Sequence, residues 1–283
     1  MPEKSFTIRP MTRPELDLAI SWAAIEGWNP GLHDADSFYA ADPGGFLLGL
    51  LDDVPVACIS VVKYGSTFAF LGFYIVLPEH RGKGYGWQIW QAGMATLEGR
   101  TVGLDGVQAQ QENYAKSGFA LAYGNIRQQG TGGGAVPVDV DLINLAGLPF
   151  EQICAYDQPF FPAPRTEFLR HWLQQPHSSA LGVLQDGELA GYGMVRPCHG
   201  GYKIGPLFAD STALAEHLFL ALKARVPLGA PLFLDTPSVN QAALDLATRH
   251  NMIAGFETAR MYRGPCPDLP LQRLFGVTSF ELG

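Results

Sequence analysis

From Tyr74 to Trp87 the chain passes from a β-branched strand, through a turn, into a helix. The strand Tyr74-Ile75-Val76-Leu77 stops at Pro78, and Gly82, Gly84 and Gly86 then alternate through Arg81-Gly82-Lys83-Gly84-Tyr85-Gly86. Glycine at alternate positions opens backbone conformations closed to residues with a Cβ, so several N–H groups can converge on one point. The helix start adds unpaired donors and roughly half a positive charge. Arg81 and Lys83 bring formal charge to the same place. Together these predict a pyrophosphate cradle.

Spacing narrows the ligand. A P-loop needs GxxxxGK[ST], and Gly82-Lys83-Gly84 has neither that spacing nor the hydroxyl residue. In a dinucleotide fingerprint, GxGxxG, the third glycine would fall on Trp87, although Asp105 stands near the distance of a ribose-binding acid. The plain alternative is a helix-opening turn with incidental glycines.

The surrounding pattern predicts mostly antiparallel strands. Residues 46–51, 54–64 and 67–77 read as three strands, parted by the turn signals Asp52-Asp53 and Gly65-Ser66. Helices are expected over 14–25, 34–41, 85–98 and 110–116, with further strands at 6–9, 101–104 and 118–128. Gly130-Thr131-Gly132-Gly133-Gly134 reads as a linker. Beyond it the order recurs, with strands at 181–184, 188–195 and 202–208, a helix at 212–224 and a strand at 232–235. The expected fold class is α+β, a mixed and mostly antiparallel sheet flanked by helices. It is repeated in two tandem domains of related topology, residues 1–138 and 139–283, and a length of 283 residues suits about two domains.

The net charge is −8 and no Lys/Arg stripe forms, which argues against a nucleic-acid or anionic-membrane partner and favours a neutral or cationic one. Solubility alone is the competing explanation of that charge. No apolar run approaches the ~20 residues that span a bilayer, and the N-terminus enters a strand pattern with no signal-peptide core. Cys58, Cys154, Cys198 and Cys266 are scattered singly. A cytoplasmic protein is expected, with no metal, since neither the cysteines nor the seven histidines fall at ligand spacing.

The Arg81–Gly86 loop after Val76-Leu77-Pro78 resembles the Q/R-x-x-G-x-G/A pyrophosphate loop of the GNAT superfamily of N-acetyltransferases. Tyr114-Ala115-Lys116-Ser117-Gly118-Phe119 resembles that superfamily's Y-x-K-x-G-F segment. The resemblance covers roughly residues 5–129 in element order, and the whole chain resembles a tandem, two-domain subgroup. It implies acetyl-CoA as co-substrate, held by Arg81, Gly82, Lys83, Gly84, Tyr85 and Gly86 and by the strand backbone of Tyr74, Ile75 and Val76. The Val76 N–H would polarise the thioester carbonyl, and Tyr114 would protonate the departing thiolate. The alternative for Tyr114 is a packed aromatic beside Phe119. The superfamily's usual asparagine falls here near Val107, so its role is not carried over.

Glu26, Asp34 and Asp105 are candidate general bases, each also readable as a cap, turn residue or substrate contact, and a water chain would serve equally. In the second half, Pro206 to Thr212 stands where a cradle would be, and Asp210 or Ser211 would cap the following helix with its own side chain. That half is therefore expected to bind no acyl-CoA and to wall an acceptor cleft instead. Glu26, Trp28 and Asp34 would line the first-half side, and Asp157, Arg165, Tyr192, Arg196 and Asp235 the other. Each of the latter is equally readable as a salt bridge or a solvated face. The expected activity is acetyl transfer from acetyl-CoA to a primary amine of a small molecule, by a monomer or homodimer. A protein lysine or N-terminus as acceptor, or a non-catalytic acyl-CoA sensor, are the alternatives.

Overall fold

Turn chemistry and alternation lay out one order of elements twice, in a computed structural model that describes residues 5–138 and 141–283. The boundary expected at 138/139 abuts residues 139 and 140, which lie outside the described residues. The first half runs β1 (Phe6–Pro10), α1 (Arg13–Ile25), α2 (Asp34–Ala41), β2 (Phe46–Leu51), β3 (Val54–Tyr64), β4 (Phe68–Val76), α3 (Tyr85–Ala95), β5 (Thr101–Val107), α4 (Gln111–Lys116) and β6 (Ala120–Thr131). The second runs β7 (Leu142–Asn144), α5 (Phe150–Asp157), α6 (Thr166–Trp172), β8 (Ser179–Gln185), β9 (Glu188–Cys198), β10 (Gly201–Ala209), α7 (Thr212–Lys223), β11 (Pro231–Pro237), α8 (Gln241–Arg249) and β12 (Ile253–Arg263). A short extra strand, β13 (Leu274–Gly276), follows. The hairpins β2–β3 and β8–β9 turn at Asp52-Asp53 and Asp186-Gly187. All four residues have positive φ, as a two-residue turn matching the strand twist requires.

All thirteen strands of the described residues join one sheet, in the order β1-β2-β3-β4-β5-β12-β6-β11-β10-β9-β8-β7, with β13 on β10. Pairing is antiparallel except between β4 and β5 and between β10 and β11. The halves exchange their last long strands. β12 of the second half lies between β5 and β6, and β6 of the first pairs with β11. This corrects the reading of 130–134 as a free linker. Gly130 and Thr131 pair with Leu232 and Pro231, and Gly132 passes so close that a Cβ there would lie 2.2 Å from a Val226 side-chain carbon. The glycines serve close packing.

One face of the sheet carries α1 and α2 against α5 and α6, in a core that includes Leu16, Phe38, Phe168 and Trp172. Ile89 of α3 and Tyr114 of α4 cover the other face of the first half. Leu218 of α7 and Leu246 of α8 do so in the second. Along β4, Phe68 and Phe70 face the first core, but so do Phe73 and Ile75, so the alternation skips a residue. The skip is a β-bulge: the β3–β4 register shifts between Cys58 and Ser60, and Phe73 takes φ 44°.

Candidate active site

The two parallel strands at the centre of the first half separate. β4 and β5 pair from Phe68/Thr101 to Leu71/Leu104 and no further. Beyond Leu71 comes the bulge, while β5 stays paired on its other edge, with Asp105, Gly106 and Val107 opposite Arg260, Ala259 and Thr258 of β12. Residues 72–76 thus keep one edge free. The Leu77 N–H donates to Val56 of β3. By strand alternation the Val76 N–H points to the opposite edge, into the gap.

At the open end of the gap lies the glycine turn. Gly82 and Gly84 have φ 73° and 85°, and a Cβ on either would meet open space. Gly84 is the N-cap of α3, and Gln88 is the first residue to donate back to it. The N–H groups of Tyr85, Gly86 and Trp87 are therefore left without helical acceptors. Gly86 lets the helix approach β4, since a Cβ there would stand 2.9 Å from the Tyr74 hydroxyl. The Arg81 Nε donates to the Val76 carbonyl at 2.8 Å, and the Lys83 Nζ to the Glu79 carbonyl at 2.7 Å. Arg81, Gly82, Gly84, Gly86 and Trp87, with Trp28, Val107 and Tyr114, line a groove enclosing about 1110 Å³ of open space. Free donors, two cations and room at both glycines fit a pyrophosphate.

The groove leads into a narrower pocket of about 510 Å³, walled by Trp28, Phe73, Phe256 and Phe280, with Thr258 and Glu281 among its polar lining. Tyr74, Val107, Trp28 and Tyr114 line both spaces. The Tyr114 ring stacks near Trp90, with centroids 5.8 Å apart, and covers Gly106, where a Cβ would lie 2.2 Å from the ring. Burial pushes the phenol up to about 12, so it is a proton donor throughout the neutral range.

The loop that carries Trp28 docks on the second half. The Leu32 N–H donates to Pro197, the His199 N–H to Pro30, and the Gly200 N–H to the Asn29 side chain. Arg127 donates to the Trp28 carbonyl at 2.7 Å, and its guanidinium lies 5.7 Å from the Phe256 ring and 4.9 Å from that of Phe280.

The three carboxylates expected as bases are engaged elsewhere. Glu26 pairs with Arg81 at the mouth of the groove. Asp34 is fully buried and accepts from Arg196, Gln175 and the Gly31 N–H. Burial acts to raise its carboxyl, but Arg196 outweighs this and holds it below its ordinary value. Asp105 touches the pocket, but Arg260 binds both of its oxygens and Asn125 donates to one.

The second-half candidates are likewise corrected, from acceptor contacts to buried ion pairs. Arg196 holds Asp34 from a position with no exposure. Asp235 takes two 2.8 Å bonds from Arg127 and so fixes the residue that braces Trp28, Phe256 and Phe280. Asp157 accepts from Arg165 and from the Tyr192 hydroxyl. Arg165 also donates to Thr278 and to the Gly283 carbonyl, clamping the last residues of the chain. The pocket residues missed in the sequence are Phe256, Thr258, Phe280 and Glu281. The sequence signal for Phe280 and Glu281 was an apolar, acid-bearing final segment, Phe275 to Leu282, and Phe256 and Thr258 lie in β12 with no signal of their own.

Among the described residues the second half has no comparable gap. β10 and β11 pair only from Tyr202/Leu232 to Ile204/Leu234. β13 then fills the space, pairing Leu207 and Phe208 of β10 with Gly276 and Leu274, while the Val277 N–H donates to Asp235 of β11. At the start of α7 the Ser211 hydroxyl accepts from the Leu214 N–H.

Residues 14–119 match the Acetyltransferase (GNAT) family, and residues 153–276 match an Acetyltransferase (GNAT) domain. The chain is 31% identical over 280 residues to a holothin acyltransferase of a Pseudoalteromonas species, covering 99% of this chain and 95% of that one. A putative acetyltransferase from Pyrococcus horikoshii superposes with a TM-score of 0.83 at 21% identity, covering 100% of this chain and 98% of the other. A tandem GNAT protein from the clavulanic acid biosynthesis pathway does so with a TM-score of 0.64 at 15% identity, over 93% and 100% of the two chains.

Proposed function

The chain belongs to the GNAT acetyltransferase family, as two GNAT units in tandem, and we propose that it moves an acetyl group from acetyl-CoA to a primary amine of a small molecule. The observation that carries this reading is the β4–β5 gap, which joins the glycine groove to a narrower pocket past Tyr114. The Arg81–Gly86 loop holds the pyrophosphate, and the free edge of Tyr74, Ile75 and Val76 hydrogen-bonds the pantetheine arm. The Val76 N–H faces the thioester carbonyl and meets the charge that develops on its oxygen. The amine attacks directly while both substrates are bound, which removes the entropy of their encounter. Tyr114 gives its proton to the departing thiolate.

A small acceptor is favoured by the pocket itself, a narrow space with aromatic walls rather than an open acidic groove. The 31% identical relative is named for one acceptor, holothin. Among the described residues no helix is long and apolar enough to cross a membrane, and all four cysteines are free. A cytoplasmic location belongs to the same proposal. The test is a panel of alkyl, aryl and peptide amines incubated with acetyl-CoA, with release of the CoA thiol and product mass as readouts. Acetylation of peptides alone, or of no amine by a chain that binds acetyl-CoA, overturns the proposal.

A further inference from the structure

Most buried charges near the pocket are paired, and the carboxylate of one pocket residue is not. Glu281 is 3% exposed, lines the pocket, and neither of its oxygens has a hydrogen-bond partner among the described residues. A buried acid without donors is costly, so its position calls for a reason.

Its placement is enforced from both sides. The Glu281 carbonyl lies where a Cβ of Gly72 would be, only 2.2 Å from that point. Gly72 follows Leu71, the last residue of β4 to pair with β5, so the backbone carbonyl of Glu281 sits at the apex of the gap. The tail that carries it is pinned by Arg165 on Thr278 and Gly283 and by the Leu282 N–H on the Ser279 hydroxyl.

Behind it lies a balanced buried cluster. Asp34 is taken by Arg196 and Asp235 by Arg127. Lys203 is left 3.9 Å from Asp235, with no hydrogen bond to its ammonium. The surplus cation is thus Lys203 and the surplus anion Glu281. Burial is the first cause in each case, pushing the Glu281 carboxyl up from its ordinary value and the Lys203 ammonium down.

We propose that Glu281, a residue of the pocket wall, is a catalytic residue: its carboxylate receives the acceptor's ammonium and takes its first proton. This deepens the acyl-transfer reading and rests on it. The ammonium passes one proton to the Glu281 carboxylate, giving a neutral amine and a carboxylic acid. The amine nitrogen bonds to the thioester carbon, and the C–S bond breaks as Tyr114 protonates the sulfur. The second amine proton restores Tyr114, and Glu281 returns the first to solvent. The groups whose charges act on Glu281 are Lys203, Asp34, Arg127 and Arg196, with Asp105, Tyr74 and Tyr114 on the pocket wall.

The experiment compares the full-length chain with Glu281→Gln, using benzylamine, which is protonated at neutral pH, and aniline, which is not. Wild-type turnover of benzylamine falls on the acid side, as pH drops through a Glu281 value above the ordinary carboxylate range. Glu281→Gln should lose that limb and slow benzylamine by roughly 100-fold or more, the usual scale for a general base. It should slow aniline far less and leave acetyl-CoA affinity unchanged. Gly72→Ala, which displaces the tail, should reproduce the pattern. An unchanged acid limb in Glu281→Gln, or equal losses for the two amines, overturns the assignment. A wild-type chain that binds acetyl-CoA but acetylates no amine overturns the acyl-transfer reading and this assignment with it.

Discussion

Tyr114 combines a packed ring with a raised phenol, and the two properties have one origin. Burial against Gly106 and Trp90 fixes the ring and disfavours the phenolate. In Tyr114→Phe the packing stays and only the proton is lost. Turnover should fall about 100-fold or more, while calorimetry gives an unchanged acetyl-CoA affinity. Normal turnover with chemistry rate-limiting would make Tyr114 a packing residue. The acids tell the opposite story. Asp34, Asp105 and Asp235 each read as available in the sequence, yet each faces an arginine that is 162, 155 and 108 positions away, respectively. Pairing at that separation is set by the sheet order, which no local pattern reveals. Glu281 was overlooked for the same reason, since its distinction is the lack of a partner.

At the scale of elements, the strand–turn–helix join was fully legible because its demands are local. Gly84 needs a left-handed backbone and open space above it. Gly84→Asp should fold, as α3 begins beyond it, and should abolish acetyl-CoA binding by placing a strained carboxylate in the cradle. Undiminished affinity in a folded variant would remove the cradle assignment. The bulge at Phe73 was not legible. The run Phe68-Ala69-Phe70-Leu71-Gly72-Phe73 is apolar on both faces, so a one-residue skip in phase leaves no trace in hydropathy. β13 was missed as well: three residues wedged between β10 and β11 have no period to read.

The whole molecule is defined by the exchange of β6 and β12, which makes each half an incomplete sheet without the other. A chain cut after residue 138 would bare the edges of β5 and β6 that β12 covers, and would lose Phe256, Thr258, Phe280 and Glu281 from the pocket. Produced alone, it should aggregate. Co-produced with residues 139–283, it should recover a soluble complex with acetyl-CoA-dependent amine turnover. Size-exclusion chromatography and the thiol-release assay test this. A soluble first half that acetylates the same amine at full rate would show that the second half adds nothing to the site.

The sequence by itself determined whatever depends on residues within one or two turns of each other. That includes the element order, its duplication, the hairpins at Asp52-Asp53 and Asp186-Gly187, the glycine loop and the position of Tyr114 after it. Backbone φ, capping and alternation are properties of neighbours, so they can be read in line. Only the tertiary structure decided that β12 enters the first half's sheet, that Asp34, Asp157 and Asp235 are locked to Arg196, Arg165 and Arg127, and that the last residues reach Gly72. Those outcomes depend on which distant surfaces bury one another, and that long-range packing decides which carboxylate finds a partner and which does not.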